Sequence, residues 1–486
     1  MSEPKKESFA GNVMKYSVAT YLGFIISGAA LIVKGVLPAE SYAVPATFMS
    51  YTMSLMNVGM LGLDQSLLRF YHEPPQGTTG RGMFNACTRL SVLVMLVAGG
   101  IGSVFFAKPL ATAFGLGSNG AGLVPFLFLN AALYMLVRYI NVLLRLENNV
   151  RAYTTETLWM QACLNLIYLL PGFVTRDTRA FVLGAVLSFA GVAAVYWRRA
   201  MKSCPAEPSK KHGGLKSDLT VYRSAVPYGI VLAPAAILIP LYRSVCLSFL
   251  GIYGTAAEQG SFDFAYTLAQ LVTTIQAGFS TYWGPYVYAH YRTEQERIGR
   301  IHDLLNFLIF GFFCLLVMFE DIIFVIFPAK SACLPYFPLM MLAVVFSILC
   351  EGTVYGNTIA RRPFHDTIGT ALGVAANIAV CTMLVPRAGA MGAAVALVAA
   401  NAGMFLYRTI TGQYYYRTIP SFSRTICGFV LAIAVAAAGV IFAHNFLVKF
   451  VVVGVILFVY CNIYRAQLQK LWQVGMGLVR KVLHRG

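Results

Sequence analysis

Charge is scarce in this sequence. Asp, Glu, Lys and Arg make up 12% of its 486 residues, against roughly 25% in an ordinary soluble domain. Too few ionised groups are present to clothe a globular surface. Clustered cysteine is absent as well. The ten cysteines (87, 163, 204, 246, 314, 333, 350, 381, 427 and 461) each stand more than ten residues from the next, which excludes the paired spacing of a thiolate metal site. Most lie in apolar blocks and read as small buried hydrophobes, so no metal or cofactor is expected. The seven histidines fall mainly in loops or at block edges, and no constellation of nucleophile, base and acid is visible. Long polar insertions are missing too. The longest connection on the side opposite the N-terminus, residues 107–121, holds a single lysine. A membrane polysaccharide polymerase would present basic or catalytic groups there, so an enzyme is the weaker reading.

What the chain does have is apolar length. Hydrophobic residues are 58% of the total, in blocks close to the ~20 residues that cross a bilayer as a helix. Fourteen blocks can be cut: 12–36, 47–71, 83–106, 122–146, 155–174 and 180–197; then 221–247, 261–289, 304–327, 333–359, 367–385 and 392–411; finally 425–444 and 447–465. The sequence therefore predicts an all-α polytopic membrane protein with about fourteen spans. The first block exceeds the roughly 7–15 apolar residues of a signal peptide and reads as a retained helix.

The formal net charge of +18 would suggest nucleic acid as the partner of a soluble protein. Here it follows the loops instead. With the N-terminus in the cytoplasm, 26 of the Lys and Arg residues fall in inside loops and 4 (Lys15, Arg89, Arg138 and Arg243) within blocks. Only 7 fall outside: Lys34, Lys108, Arg176, Arg179, Lys330, Arg387 and Lys449. That alternation is the positive-inside pattern, and an even number of spans returns the C-terminus to the cytoplasm. Membrane lipids, not nucleic acid, are the expected partners.

Weak internal matches pair the first six blocks with the next six. Lys15-Tyr16-Ser17 is echoed by Tyr222-Arg223-Ser224, and Asn165 before Pro171 by Asn377 before Pro386. They predict an N-terminal six-helix lobe (1–197), a basic cytoplasmic linker (198–220) and a C-terminal six-helix lobe (221–411). Two additional helices (412–465) and a basic amphipathic tail (466–486) follow. Parallel repeats of this kind are used by alternating-access transporters, with the substrate between the halves.

Three stretches carry a family resemblance: GLDQSLLRFYHE (62–73), FSTYWGPYVYAHY (279–291) and NIAVCTMLVPRAGAMGAAVAL (377–397). In order and spacing they resemble signatures of bacterial polysaccharide transporters. Over its first twelve blocks the chain is similar to Wzx-type oligosaccharide-lipid flippases of the multidrug/oligosaccharidyl-lipid/polysaccharide exporter superfamily. The resemblance implies two helix bundles that rock between inward-open and outward-open states in a bacterial inner membrane. Its implied cargo is an undecaprenyl-diphosphate-linked oligosaccharide destined for O-antigen, lipopolysaccharide or exopolysaccharide. Other polysaccharide-assembly proteins are implied partners, and proton or sodium coupling is left open. A drug–cation antiporter or a lipid II flippase of the same superfamily is the rival reading. One departure stands out: the family's Asp-Arg pair in the seventh span reads Tyr242-Arg243 here, so a coupling carboxylate is not expected at that point.

Flipping a headgroup makes and breaks no covalent bond. It needs a wet polar path, and a charge inside a bilayer is tolerated only beside water or a partner. The charges within the blocks are therefore the candidates. Arginine forks suit phosphate oxygens, which nominates Arg89, Arg138 and Arg243 for the diphosphate. Snorkelling to the headgroups is the alternative for the first two, and pairing with Glu258 or Asp263 for the third. Gln270, Thr274 and Thr281 recur near helical spacing and match sugar hydroxyls, or equally serve as glue between helices. Lys15 and Asp64 lie near one membrane edge and are expected to pair, with Arg69 alongside, as a structural or gating group. Glu351, among small polar residues, is a proton-sensing candidate or half of an ion pair. Glu320 and Asp321 are expected to be solvated at the outer interface.

Overall fold

The computed structural model describes residues 9–117, 120–147, 149–203, 215–360, 362 and 364–469. Part of the expected linker and most of the expected tail lie outside these residues. All fourteen apolar blocks are helical, and no strand occurs among the described residues. In chain order the helices are α1 (Phe9–Val36), α2 (Ala39–Met60), α3 (Leu63–Phe70), α4 (Gly80–Phe105), α5 (Ala107–Ala113), α6 (Val124–Leu146), α7 (Val150–Asn165) and α8 (Thr178–Ser203). They continue with α9 (Leu215–Tyr253), α10 (Ala256–His290), α11 (Gln295–Ile326), α12 (Phe337–Thr353), α13 (Tyr355–Ile359), α14 (Phe364–Tyr415), α15 (Phe422–Ile441) and α16 (Phe446–Ile463). Nine helical stretches of the described residues are long and apolar enough to cross a membrane. The protein is an all-α, multi-pass membrane protein.

Several blocks that read as one span are broken, each for a local reason. The second block divides at Leu61 and Gly62, whose φ angles of 50° and 70° are left-handed. Glycine adopts that conformation cheaply, and at Gly62 a Cβ would also run into the backbone of Gly229. The fifth block leaves α-helical geometry after Asn165 and continues as a 3₁₀ turn, Ile167–Phe173, around Pro171. Proline lacks the N–H that an α-helix would use there. The eleventh and twelfth blocks run together as α14, bent at Gly389 with φ 50° and ψ −127°. By contrast α9 absorbs Pro227, Pro234 and Pro240 without a break over 39 residues.

The chain forms two compact units. The first is Met1–Gly278 with Asn377–Ala396; the second is Phe279–Ala376 with Leu397–Gly486. In the first, α6 is the central post. It packs against α2, α4, α7 and α8, and Leu127, Ala131, Met135, Tyr139 and Leu143 are buried along it. In the second, α11, α12, α15 and α16 pack together around Phe310, Phe337, Met341 and Tyr460. The outward faces are apolar: Val104 is 75% exposed, Leu187 67%, Val325 77% and Phe458 70%. In water such surfaces would be untenable; in hydrocarbon they are solvated.

With lipid outside, helices associate through close backbone approach and buried polar contacts. The seam between α2 and α9 shows both. Ser244 hydroxyl bonds to Ser50 at 2.8 Å and to Ser54 at 2.9 Å, and Tyr51 bonds to Ser248. In the second unit Gly356 on α13 lies so near Gly412 on α14 that a Cβ would enter its carbonyl group. Overpacking of this kind costs about 1–3 kcal/mol. Gly356→Ala should therefore lower the thermal unfolding midpoint in detergent. Gly403→Ala, where a Cβ meets nothing within 4 Å, should leave it unchanged or raise it.

Candidate functional site

Polar side chains recur at helical spacing along three helices of the first unit. On α10 they are Asp263, Tyr266, Thr267, Gln270 and Thr273; on α7, Gln161 and Asn165, with Tyr168 just beyond; on α1, Ser27 and Lys34. Separations of three, four and seven residues place each set on one helix face. These faces converge on a cavity of about 440 Å³, closed on further sides by Ser50 of α2, Tyr134 of α6 and Pro240 and Arg243 of α9.

Its electrostatic centre is a triad from three helices. Lys34 Nζ lies 2.6 Å from Asp263 Oδ2 and donates to Thr267 Oγ1 at 2.8 Å. Arg243 donates to the other carboxylate oxygen of Asp263. All three side chains are removed from the surface: 4% exposed for Lys34, 18% for Arg243 and 0% for Asp263. The guanidinium also sits over the Tyr266 ring, 5.1 Å from its centroid, and its Nε is buried without a hydrogen-bond partner among the described residues. Two cations share one carboxylate, so with all three ionised the cavity wall carries one excess positive charge. Donor capacity is left over on Arg243 and on the amides of Gln161 and Gln270, whereas Asn165 Nδ2 already donates to the Gln161 carbonyl and Oε1. Such a wall attracts anions and hydroxyl-rich groups and repels cations.

Of the candidate site residues read from the sequence, Arg243 and Gln270 line this cavity among the described residues. Of the two acids open to Arg243, Asp263 is its partner; Glu258 instead caps the start of α10, accepting from the Thr255 N–H at 2.9 Å. Arg89 is 64% exposed and lies 3.3 Å from Asp218. Arg138 is half-buried on α6 and does not line the cavity. Asp64 accepts from the Gln65 amide at 2.9 Å, and Arg69 from α3 pairs with Glu73 at 2.9 Å on the surface. The side chains of Lys15, Thr274, Thr281 and Glu351 lie outside the described residues.

Three lysines assigned to outside loops are buried: Lys34, Lys330 and Lys449. Glu320 is not solvated either. It is fully buried with Lys449 Nζ 2.8 Å away, and the same ammonium reaches Asp321 at 2.5 Å. Lys34 and Asp263 escaped notice because each stands two residues from an end of its block, where a charge reads as belonging to the adjoining loop. The loss of the acid from Tyr242-Arg243 also has a local answer, because the next helix supplies Asp263. Tyr242 instead gives its carbonyl oxygen to Asn377 Nδ2 at 2.8 Å, pinning α9 to α14. No group of three or more His, Cys, Asp and Glu that could hold a metal ion occurs among the described residues.

No protein-family model matches the sequence, and no curated protein matches it. Among solved structures it is similar to the lipid II flippase MurJ in an inward closed conformation. The TM-score is 0.67 at 12% identity, over 93% of this chain and 99% of that one. A MATE transporter in a bent conformation aligns with TM-score 0.47 at 13% identity, over 90% of this chain and 97% of that one. An inward-facing multidrug resistance MATE transporter of the MOP superfamily aligns with TM-score 0.46 at 13% identity, over 82% and 94%. At such identity the likeness to MurJ establishes the fold.

The triad has a definite energetic order. Asp263 serves two cations, so Asp263→Ala leaves both buried without their counter-ion, a loss of about 3–5 kcal/mol. Lys34→Met leaves the Asp263–Arg243 pair intact and replaces the ammonium with an apolar chain of similar length, so its cost should be clearly smaller. Equilibrium unfolding of the two variants in detergent checks the order.

Proposed function

We propose that this chain carries an anionic, lipid-linked sugar headgroup from the cytoplasmic to the outer leaflet of a bacterial inner membrane by alternating access. The cargo we assign is an undecaprenyl-diphosphate-linked oligosaccharide for cell-surface polysaccharide. The observation that carries this reading is the cavity triad: two cations on one carboxylate, removed from the surface beside an open polar volume. A diphosphate competes with Asp263 for Arg243 and Lys34, and a guanidinium meets phosphate oxygens in a matched fork. Gln161, Asn165, Gln270 and Thr273 offer amides and hydroxyls to the first sugar, and the rings of Tyr168 and Tyr266 offer faces. The volume is within the ~300–1,000 Å³ of pockets that enclose a small ligand. It accommodates a diphosphate with its nearest sugars, while the prenyl tail stays in the bilayer. Arg89 and Arg138, nearer the cytoplasmic ends of their helices in the orientation set by loop charge, are proposed as earlier phosphate contacts.

The cavity's sign argues against a drug–cation antiporter, since a cationic guest would meet Lys34 and Arg243 at close range. A lipid II flippase is the second reading, favoured by the likeness in fold to MurJ. It differs in the glycan while sharing the need for an anion-receptive cavity.

Reconstituted vesicles decide between them. The full chain should move undecaprenyl-diphosphate-linked oligosaccharide between leaflets, and Arg243→Gln should slow it about tenfold or more, the worth of one charge-assisted hydrogen bond. Lipid II that competes on equal terms shifts the assignment to the second reading. Uptake of a cationic dye, with no movement of any polyprenyl diphosphate under any ion gradient, overturns both.

A further inference from the structure

Behind α7, on the face turned away from the cavity, the first unit carries two grooves on its lipid-facing side, one on each flank of the last turns of α8. The first, of about 620 Å³, runs between two straight ridges. One ridge is Thr155, Trp159 and Cys163 of α7, continued by Ile167 of the 3₁₀ turn that follows; the other is Leu187, Gly191, Val195 and Arg199 of α8. Each advances four residues at a time, the i+4 ridge of a helix surface. The second groove, of about 750 Å³, lies over Leu136 of α6 and Ala193, Ala194 and Trp197 of α8, and ends at Arg198. The two grooves share Val195 and Arg199. Val195 is 51% exposed and stands as the divide between them. Both are lined mainly by apolar atoms, and both end at a guanidinium. Arg198 and Arg199 are exposed, and Arg199 is held over the Tyr196 ring at 5.0 Å. Trp197 beside them marks the depth at which aromatic side chains meet headgroups.

We infer that this surface is a binding site for a two-chain anionic phospholipid, straddling α8 with one acyl chain in each groove and its phosphate on Arg198 and Arg199. The number of grooves favours two chains over a single prenyl chain, because both open beside the same pair of cations. The arginine pair favours a headgroup with net negative charge, since a zwitterionic headgroup brings its own cation to the phosphate. The site is separate from the triad cavity and does not depend on what that cavity carries.

Native mass spectrometry of the full chain in detergent, titrated with phosphatidylglycerol, tests this. Phosphatidylglycerol should be retained about tenfold more tightly than phosphatidylcholine, as a charge-assisted phosphate contact requires. The double variant Arg198→Gln/Arg199→Gln should erase that preference. Gly191→Leu tests the groove without touching the charge. Nothing lies within 4 Å of a Cβ at Gly191, and leucine is the better helix former, so the variant folds while its side chain fills the groove. It should weaken phosphatidylglycerol severalfold. Single-chain lysophosphatidylglycerol should bind the wild type about tenfold more weakly than the two-chain lipid, each buried methylene contributing. Equal retention of phosphatidylcholine, equal binding of the single-chain lipid, displacement by millimolar inorganic phosphate, or unchanged binding in both variants would each overturn the proposal.

Discussion

A charge cannot remain alone among hydrocarbon, and the arrangement of the first unit follows from how that constraint is met at Asp263. An isolated carboxylate in an apolar interior is prohibitively costly. Here it is flanked by Lys34 from α1 and Arg243 from α9, so α1 is held to the consecutive helices α9 and α10 at one point. The same contacts set the register of α10 so that Tyr266, Thr267 and Gln270 fall on the cavity side. Because cations outnumber the carboxylate, neutralisation is incomplete, and the remainder is what an anionic guest would meet. Fold and candidate function thus rest on one set of contacts.

The rest of the unit supplies a rigid frame without a conventional hydrophobic drive, since lipid outside is as apolar as the protein inside. Its helices instead meet through serines, glycines and amides. Gln259 shows the pattern: its side-chain amide donates to Thr47 Oγ1 at 2.8 Å and to the Leu247 carbonyl at 2.9 Å, so one residue of α10 fastens α2 and α9. Gly115, with φ 66°, lets the loop after α5 approach Ser248 and Gly251 at backbone distance. A larger residue at either glycine would separate α9 from that loop and loosen the wall that bounds the cavity.

The apolar blocks were legible because hydropathy over some twenty residues is set by the bilayer, a long-range and forgiving constraint. Every block became helix, and the breaks at Leu61–Gly62, Pro171 and Gly389 mark positions where one residue's backbone chemistry decides. The site was less legible. Arg243 and Gln270 were found because a charge and an amide within an apolar block are conspicuous. Lys34 was read as a loop charge and Asp263 only as one of two alternatives for Arg243, since pairing across 229 residues leaves no local trace. The converse error fell on Glu320: two adjacent acids look solvated until a lysine 129 residues away is placed between them. What could have been noticed is periodicity. Asp263, Tyr266, Thr267, Gln270 and Thr273 form a polar stripe more regular than the one through Thr274 and Thr281, and it begins at the acid.

Buried charge serves two different ends in this protein. In the second unit, Lys449 is wholly enclosed between Glu320 and Asp321, and Arg424 reaches Asp303 at 2.9 Å, with Gln467 donating to the same carboxylate oxygen at 3.3 Å. Those groups tie α11 to α15, α16 and the residues beyond it. None of them lines the polar cavity, so their attraction is spent on packing. In the first unit the same chemistry is set against an open volume, with donor capacity unspent on Arg243. Around Lys449 the acids outnumber the cation, so that group offers no spare donor to an anionic guest. A triad with a surplus cation can exchange Asp263 for a phosphate with little net desolvation, since one oxyanion replaces another on the same donors. The sign of the surplus charge and the open volume beside it, not the mere presence of buried charge, separate a strut from a candidate binding site in this molecule.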